Sequence, residues 1–141
     1  MIDSFLNSPT TALLERTLNF TEQRHKLILQ NIANATTPGY IQQDASPAEF
    51  QKSLADALQR QAAGANASFD PEDTSTISFA GQSVQLKPQP AAEAQPFHDG
   101  GARSMEDLMG QLADNAEAHN MAASFLKSRY DLVQRAISMR V

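Results

Sequence analysis

Two apolar stripes with a heptad step, one near each end of the chain, limit the possible folds more than anything between them. In the first, Leu14, Leu18, Thr21, His25, Ile28 and Ile32 alternate steps of four and three residues, and Leu13, Phe20 and Leu27 widen the stripe. In the second, Met105, Met109, Leu112, Ala116, His119, Ala123, Leu126, Tyr130, Val133, Ile137 and Arg140 keep the same alternation, and nine of those eleven positions are apolar or aromatic. That spacing puts each set along one side of an α-helix. A lone helix with such a stripe is unstable in water until the stripe is covered. The simplest cover for each stripe is the other one, in an antiparallel coiled-coil pair of the N- and C-terminal helices. The first helix spans about 25 residues, a rod of roughly 37 Å. The second is longer, so part of its stripe is left over for a neighbouring molecule.

Between the stripes the composition changes. Residues 41–103 hold five of the seven prolines and four of the six glycines, whereas residues 104–140 hold no proline and one glycine, Gly110. The chain therefore divides into an N-terminal helix and turn (1–40), an irregular middle segment (41–103) and a C-terminal helix (104–141) packed on the first, together one structural unit. Ser46-Pro47-Ala48-Glu49 has the form of a capping box with proline at the first helical position, which predicts a short helix over 47–62 with Phe50, Leu54, Ala57 and Leu58 on one face. Thr74–Phe79 and Gln82–Lys87 are β-rich runs around Ala80-Gly81 and fit a hairpin. Pro88 to Gly101 reads as a linker. Ser104, with Asp107 three residues on, is the expected cap of the last helix, whose first half is acidic and second half basic. The expected fold class is mainly α, with a short middle helix and a β-hairpin in an otherwise irregular middle.

The first helix stops at Asn31-Ile32-Ala33-Asn34-Ala35-Thr36-Thr37-Pro38-Gly39-Tyr40. Asn34 can cap a helix end, Thr37-Pro38 cannot continue one, and Gly39 permits a turn with positive φ. Such a segment aims the chain out of the helix at a fixed angle. Asn31, Asn34, Thr37, Pro38, Gly39 and Tyr40 are accordingly candidate functional residues of an architectural kind.

The remaining features exclude more than they suggest. The net charge is −5, so no basic surface is available for nucleic acid. There is no cysteine, hence no disulfide framework and no thiolate metal site. The start of the chain lacks the basic and apolar regions of a Sec-type signal peptide, and no stretch approaches the roughly 20 apolar residues of a membrane span. His25, His98 and His119 lie on separate elements without metal-ligand spacing, and Asp70, Glu72 and Asp73 lack the calcium-loop pattern. No nucleophile elbow or phosphate-cradling loop is present. Met105, Met109, Met121 and Met139 read as core or seam residues, with Met121 off the main seam and toward a neighbour. Neither helix has the basic polar face of a membrane-surface binder. No cofactor, no metal and no catalysis are expected.

Asn31-Ile32-Ala33-Asn34 followed by Thr37-Pro38-Gly39-Tyr40 resembles the N-terminal signature of the bacterial flagellar axial proteins. Asp44 to Leu58, and the run from Met105 through Asn115 to Ile137, resemble more particularly the basal-body rod proteins of that group, most closely the B-lettered proximal rod proteins. His119 stands where that family often carries an aromatic residue. The resemblance implies a structural subunit that leaves the cell interior through the flagellar type III export channel without a cleaved signal peptide. It implies self-assembly into the periplasmic helical rod that transmits torque for motility. Other rod proteins, the rod-base adaptor and the membrane-ring protein are the implied partners, with no direct membrane insertion. The competing reading is a soluble helical adaptor or secretion chaperone that binds partner helices. Under the rod reading the isolated subunit has marginal ends that order on assembly.

Overall fold

A computed structural model describes residues 8–64, 68–91 and 102–139 of the chain. Helix α1 runs Pro9–Ala33. Ser8 caps it, its Oγ accepting the Thr11 N–H at 3.4 Å, and Pro9 occupies the first helical position, where a missing N–H costs nothing. The short helix α2 runs Pro47–Ala63, with Ser46 as the cap and Gly64 just past the end. The long helix α3 runs Ala102–Ser138, beginning two residues before Ser104. The side chain of Ser104 lies outside the described residues, as do Arg140, His98 and most of the expected linker.

α1 and α3 pack antiparallel. Arg24 Nη2 donates to Gln111 Oε1 at 3.4 Å, Asn115 Nδ2 donates to the Thr21 carbonyl at 2.8 Å, and Arg129 Nη2 donates to Ser8 Oγ at 2.6 Å. Partners therefore rise along one helix as they fall along the other. The protein is mainly helical, its terminal helices are paired, and its strands are short and confined to the middle.

Those strands are β1 (Gln43–Asp44), β2 (Ile77–Ala80), β3 (Ser83–Leu86) and β4 (Gln89–Pro90). β2 and β3 form the hairpin, with Ala80 opposite Ser83 and Ile77 opposite Leu86. Its two-residue loop has positive φ only at the first central residue, Gly81 (+62°), the pattern of a type II′ turn whose twist suits a hairpin. β4 pairs antiparallel with β1, so Gln89 and Pro90 form a strand where the composition pointed to a linker.

The middle segment closes over α1. Phe20 and Leu27 of α1, Ala45, Phe50 and Leu54 around α2, and Ile77 and Val84 of the hairpin make one buried cluster. Phe20 and Phe50 stack with ring centroids 4.1 Å apart, and Phe79 lies 6.1 Å from Phe50. Such a stack contributes about 0.5–1.5 kcal/mol beyond the area it buries. The expected irregular middle is thus the second half of a core that α1 shares between two partners.

Candidate functional site

The helix-end signature forms a closed loop around one side chain. Asn31, 3% exposed, donates from Nδ2 to the Gln43 carbonyl at 2.6 Å, and its Oδ1 accepts the Gln43 N–H at 3.0 Å. The amide thus pairs with both main-chain groups of Gln43, as a neighbouring strand would. Oδ1 also accepts the Tyr40 hydroxyl at 3.0 Å. Between these partners the chain reverses. Asn34 ends α1, and its Nδ2 donates to the Gln30 carbonyl at 2.9 Å. Thr37 to Tyr40 then makes a turn in which the Tyr40 N–H donates to the Thr37 carbonyl at 3.2 Å. Pro38 sits second in that turn and Gly39, with φ +77°, third, the requirement of a type II turn. Thr36, Thr37, Pro38 and Gly39 are exposed. The loop therefore fixes the exit direction from inside and presents its tip to solvent.

A second stripe on α1, absent from the apolar reading, holds the middle segment. Arg16 is buried and donates from Nε and Nη2 to the Gly81 carbonyl at 3.1 and 2.6 Å, with its guanidinium 4.8 Å from the centre of the Phe69 ring. Burial draws its pKa down from the ordinary arginine value, against the opposing pull of Asp70 and Glu15. Gln23 donates to the Val84 carbonyl and accepts the Leu86 N–H, covering the open edge of the hairpin. Arg24 donates to the Ala45 carbonyl at 3.2 Å and to Asp44 at 3.3 Å. With Asn31, four polar side chains thus dock main-chain groups of the middle segment, interleaved with Phe20 and Leu27.

Glu49 departs from the expected capping box. Ser46 Oγ accepts the Glu49 N–H at 3.3 Å, but the Glu49 carboxylate reaches across to Ser75 and Thr76 instead of back to the cap. Hydrogen bonds from the Thr76, Ser75 and Thr74 hydroxyls hold it below the usual carboxylate range. Asp73 is lowered likewise, first by the Phe79 N–H and then by the Ser78 hydroxyl.

Along the α1–α3 interface, Leu14, Thr21 and Ile28 are buried, and Leu18, His25 and Ile32 are half-buried. On α3 the buried residues are Leu108, Asn115 and Ala122, spaced by seven. Met105, Leu112, Ala116, His119, Ala123, Leu126 and Val133 are half-buried, and Met109, Tyr130 and Ile137 are exposed. The contact line thus shares Leu112, His119 and Leu126 with the apolar repeat but takes its other half one residue earlier. Polar Asn115 in that earlier line is what hides it from a search for apolar periodicity. At mid-interface, Thr21 Oγ1 lies 2.8 Å from His119 Nδ1 and 2.9 Å from the Thr17 carbonyl. A hydroxyl has one proton. When the Thr21 hydroxyl donates to the Thr17 carbonyl, the tautomer with the proton on His119 Nδ1 donates to Thr21.

Beyond this interface α3 carries much uncovered apolar surface. Met121, Phe125, Tyr130, Leu132 and Ile137 are each about half exposed and Met139 nearly fully so. From Phe125 to Met139, at the end of α3 and just past it, five large apolar groups lie exposed within fifteen residues. Among the described residues no cluster of His, Cys, Asp or Glu could hold a metal ion, and no helix is long and apolar enough to cross a membrane.

Over 126 residues the chain is 32% identical to the flagellar basal body rod protein FlgB of Escherichia coli (strain K12), across 82% of this chain and 83% of the relative. It matches the protein of the same name from Shigella flexneri to the same extent. No protein-family model matches the chain.

Proposed function

The chain belongs to the flagellar basal-body rod protein family and is FlgB-like, and from that premise we propose that this structural rod subunit builds the proximal rod and transmits torque through it. The observation that carries the reading is the apolar surface left on the second half of α3, beside a helix pair whose own interface is already filled. Covering the exposed half of a Leu, Ile or Met contributes about 1 kcal/mol per side chain, so several together stabilise an assembly. Contacts that join unlike patches head to tail do not close, and they build helical filaments. The exposed tip of the signature turn and the rigid loop behind it suit a part that bears load between neighbours. On this reading the subunit turns over no substrate, is exported without a cleaved signal peptide, and meets the other rod proteins, the rod-base adaptor and the membrane-ring protein.

The test is a deletion strain and its basal bodies. Loss of motility, with rods and all distal parts missing from isolated basal bodies and the protein present in parental ones, is the expected result. A motile deletion strain with complete basal bodies, or a protein confined to the cytoplasm as an adaptor would be, refutes the reading.

A further inference from the structure

α3 outruns α1 at its C-terminal end. α1 begins at Pro9, and just before it Ser8 Oγ accepts a hydrogen bond from Arg129 Nη2 at 2.6 Å. Past that bond, residues 130–138 of α3 continue for roughly 14 Å. Their apolar groups straddle the line on which α3 meets α1. At about 3.6 residues per turn that line runs on from Arg129 through Val133 to Ala136. Leu132, and Met139 just past the helix, stand along one edge of it, and Tyr130 and Ile137 along the other; all four are exposed.

We propose that residues 1–7 of the same chain, Met1-Ile2-Asp3-Ser4-Phe5-Leu6-Asn7, lie along this end of α3 as an arm and cover it. The inference concerns the single chain and is independent of the rod-subunit reading. Position is the first argument. Ser8 is held at Arg129, so the arm starts where the uncovered stretch starts. Seven residues span roughly 10 Å as a helix and up to roughly 24 Å when extended, against the roughly 14 Å to be covered. So short a tether keeps the arm at an effective concentration of about a millimolar beside α3, which a separate molecule in dilute solution does not match. The second argument is composition. Met1, Ile2, Phe5 and Leu6 are apolar, and Asp3, the one charged side chain of the arm, comes to an end of α3 where Lys127, Arg129 and Arg135 outnumber Asp131. The third is phase. α1 meets α3 through Leu14, Leu18, Thr21, His25, Ile28 and Ile32, and the same steps carried backward reach Thr11, Asn7 and Ser4. An unbroken helix would thus turn polar Asn7 and Ser4 to α3 and Ile2, Phe5 and Leu6 away from it. The helix is broken there: Ser8 is extended, with φ −69° and ψ 148°, and Pro9 follows it. A break resets the phase, and Ile2, Phe5 and Leu6, which share a side at helical spacing, are then free to face Val133 and Ala136. Met121 and Phe125 lie on the other side of Arg129, out of line with the arm, and stay open to a neighbouring molecule.

The chain has no cysteine, so a single introduced thiol reports its own exposure. Ala136→Cys places it on the line the arm covers, and Gln134→Cys, also at an exposed position, places it on the opposite side of α3. In the full chain, adding Ile2→Ser, Phe5→Ser and Leu6→Ser together should raise the rate of maleimide modification at Ala136→Cys about tenfold and leave that at Gln134→Cys unchanged. Helical circular dichroism should not fall, because the three residues lie outside the buried cluster. With the arm intact, the slow rate at Ala136→Cys should be the same in dilute and in concentrated solution, since the cover comes from the same chain. Equal Ala136→Cys rates with and without the three substitutions, an equal acceleration at Gln134→Cys, or protection that disappears on dilution and so comes from a second copy overturns the proposal. A deletion strain with complete basal bodies removes the rod reading and leaves this contact standing.

Discussion

Replacing Asn31 tests whether the helix-end loop holds the fold. The side chain is 3% exposed and makes three hydrogen bonds, two with the main chain of Gln43 and one with Tyr40. Each such bond contributes about 1 kcal/mol net, and a buried group left without its partner costs about 1–3 kcal/mol. Gln43 and Tyr40 are half-buried, so water reaches part of what Asn31→Ala uncovers. The expected loss is therefore about 2–4 kcal/mol, a large share of the roughly 5–15 kcal/mol typical of a domain. Tyr40→Phe removes one bond and should cost about 1 kcal/mol. The double variant should cost less than the two losses summed, because both remove the same Tyr40–Asn31 bond.

Asn31→Asp separates the hydrogen bonds from simple bulk. The carboxylate keeps an acceptor for Gln43 N–H and Tyr40 but sets a second oxygen against the Gln43 carbonyl. Burial and that carbonyl both favour the protonated form, which can donate, so the folded pKa rises above the unfolded value near 4. The folded state then binds the proton more tightly, and the variant's stability falls as pH rises through the interval between the two values. At neutral pH it should be less stable than Asn31→Ala, and it should recover on acidification. Urea unfolding followed by helical circular dichroism gives the stabilities, and hydrogen exchange of the Gln43 amide reports the local bond. Asn31→Ala within about 0.5 kcal/mol of the parent, with unchanged Gln43 exchange, refutes the reasoning.

Four further outcomes follow from the same structure. Gly39→Ala should cost about 1–2 kcal/mol through the backbone alone, because φ is +77° and an added Cβ meets nothing within 4 Å; the thermal midpoint should fall without loss of helix. Phe20→Ala removes the stacked ring at the centre of the cluster and should cost about 3–5 kcal/mol by urea titration. Arg24→Met strips Ala45, Asp44 and Gln111 of a buried donor and should cost about 2–4 kcal/mol, with Arg24→Lys recovering only part because an ammonium lacks the planar fork. Glu49 and Asp73 both titrate lower folded than unfolded, so their contribution is complete above the unfolded values near 4 and is lost as pH falls through the folded ones; Glu49→Gln should flatten that acid limb in a pH series of thermal melts.

How legible each feature was depended on what it is made of. The two terminal helices, the α2 start at Ser46-Pro47 and the glycine at the hairpin turn follow from local rules, namely apolar spacing, a cap with proline, and a positive φ that glycine alone adopts freely. The type II turn at Thr37–Tyr40 was legible for the same reason. The second stripe of α1 was not. Arg16, Gln23, Arg24 and Asn31 are polar, and an apolar period skips them although each is buried or half-buried against the middle segment. Their partners are main-chain groups 12 to 65 residues away, and sequence spacing carries no mark of them. Glu49 illustrates a rival partner: three residues after Ser46 the local rule points back to the cap, while Ser75 and Thr76 draw the carboxylate elsewhere. On α3, Asn115 conceals the true contact line by the same mechanism as the α1 arginines.

These unread contacts share a property that bears on assembly. An apolar seam of Leu, Ile, Met and Ala is forgiving, since similar residues recur every three or four positions and a slipped register still buries them. Directed hydrogen bonds are not forgiving. Asn115 to the Thr21 carbonyl, His119 to the Thr21 hydroxyl and Arg24 to Gln111 are satisfied together in one register, and a slip leaves buried polar groups without partners. Within the subunit, therefore, the polar side chains set the position and the apolar ones supply most of the cohesion. The exposed end of α3 inverts that ratio: Tyr130, Leu132, Ile137 and Met139 are apolar, with Asp131 and Arg135 beside them. A surface of that composition gives cohesion with little fixed geometry of its own. Any fixed angle at that surface must come from directed contacts on whatever covers it.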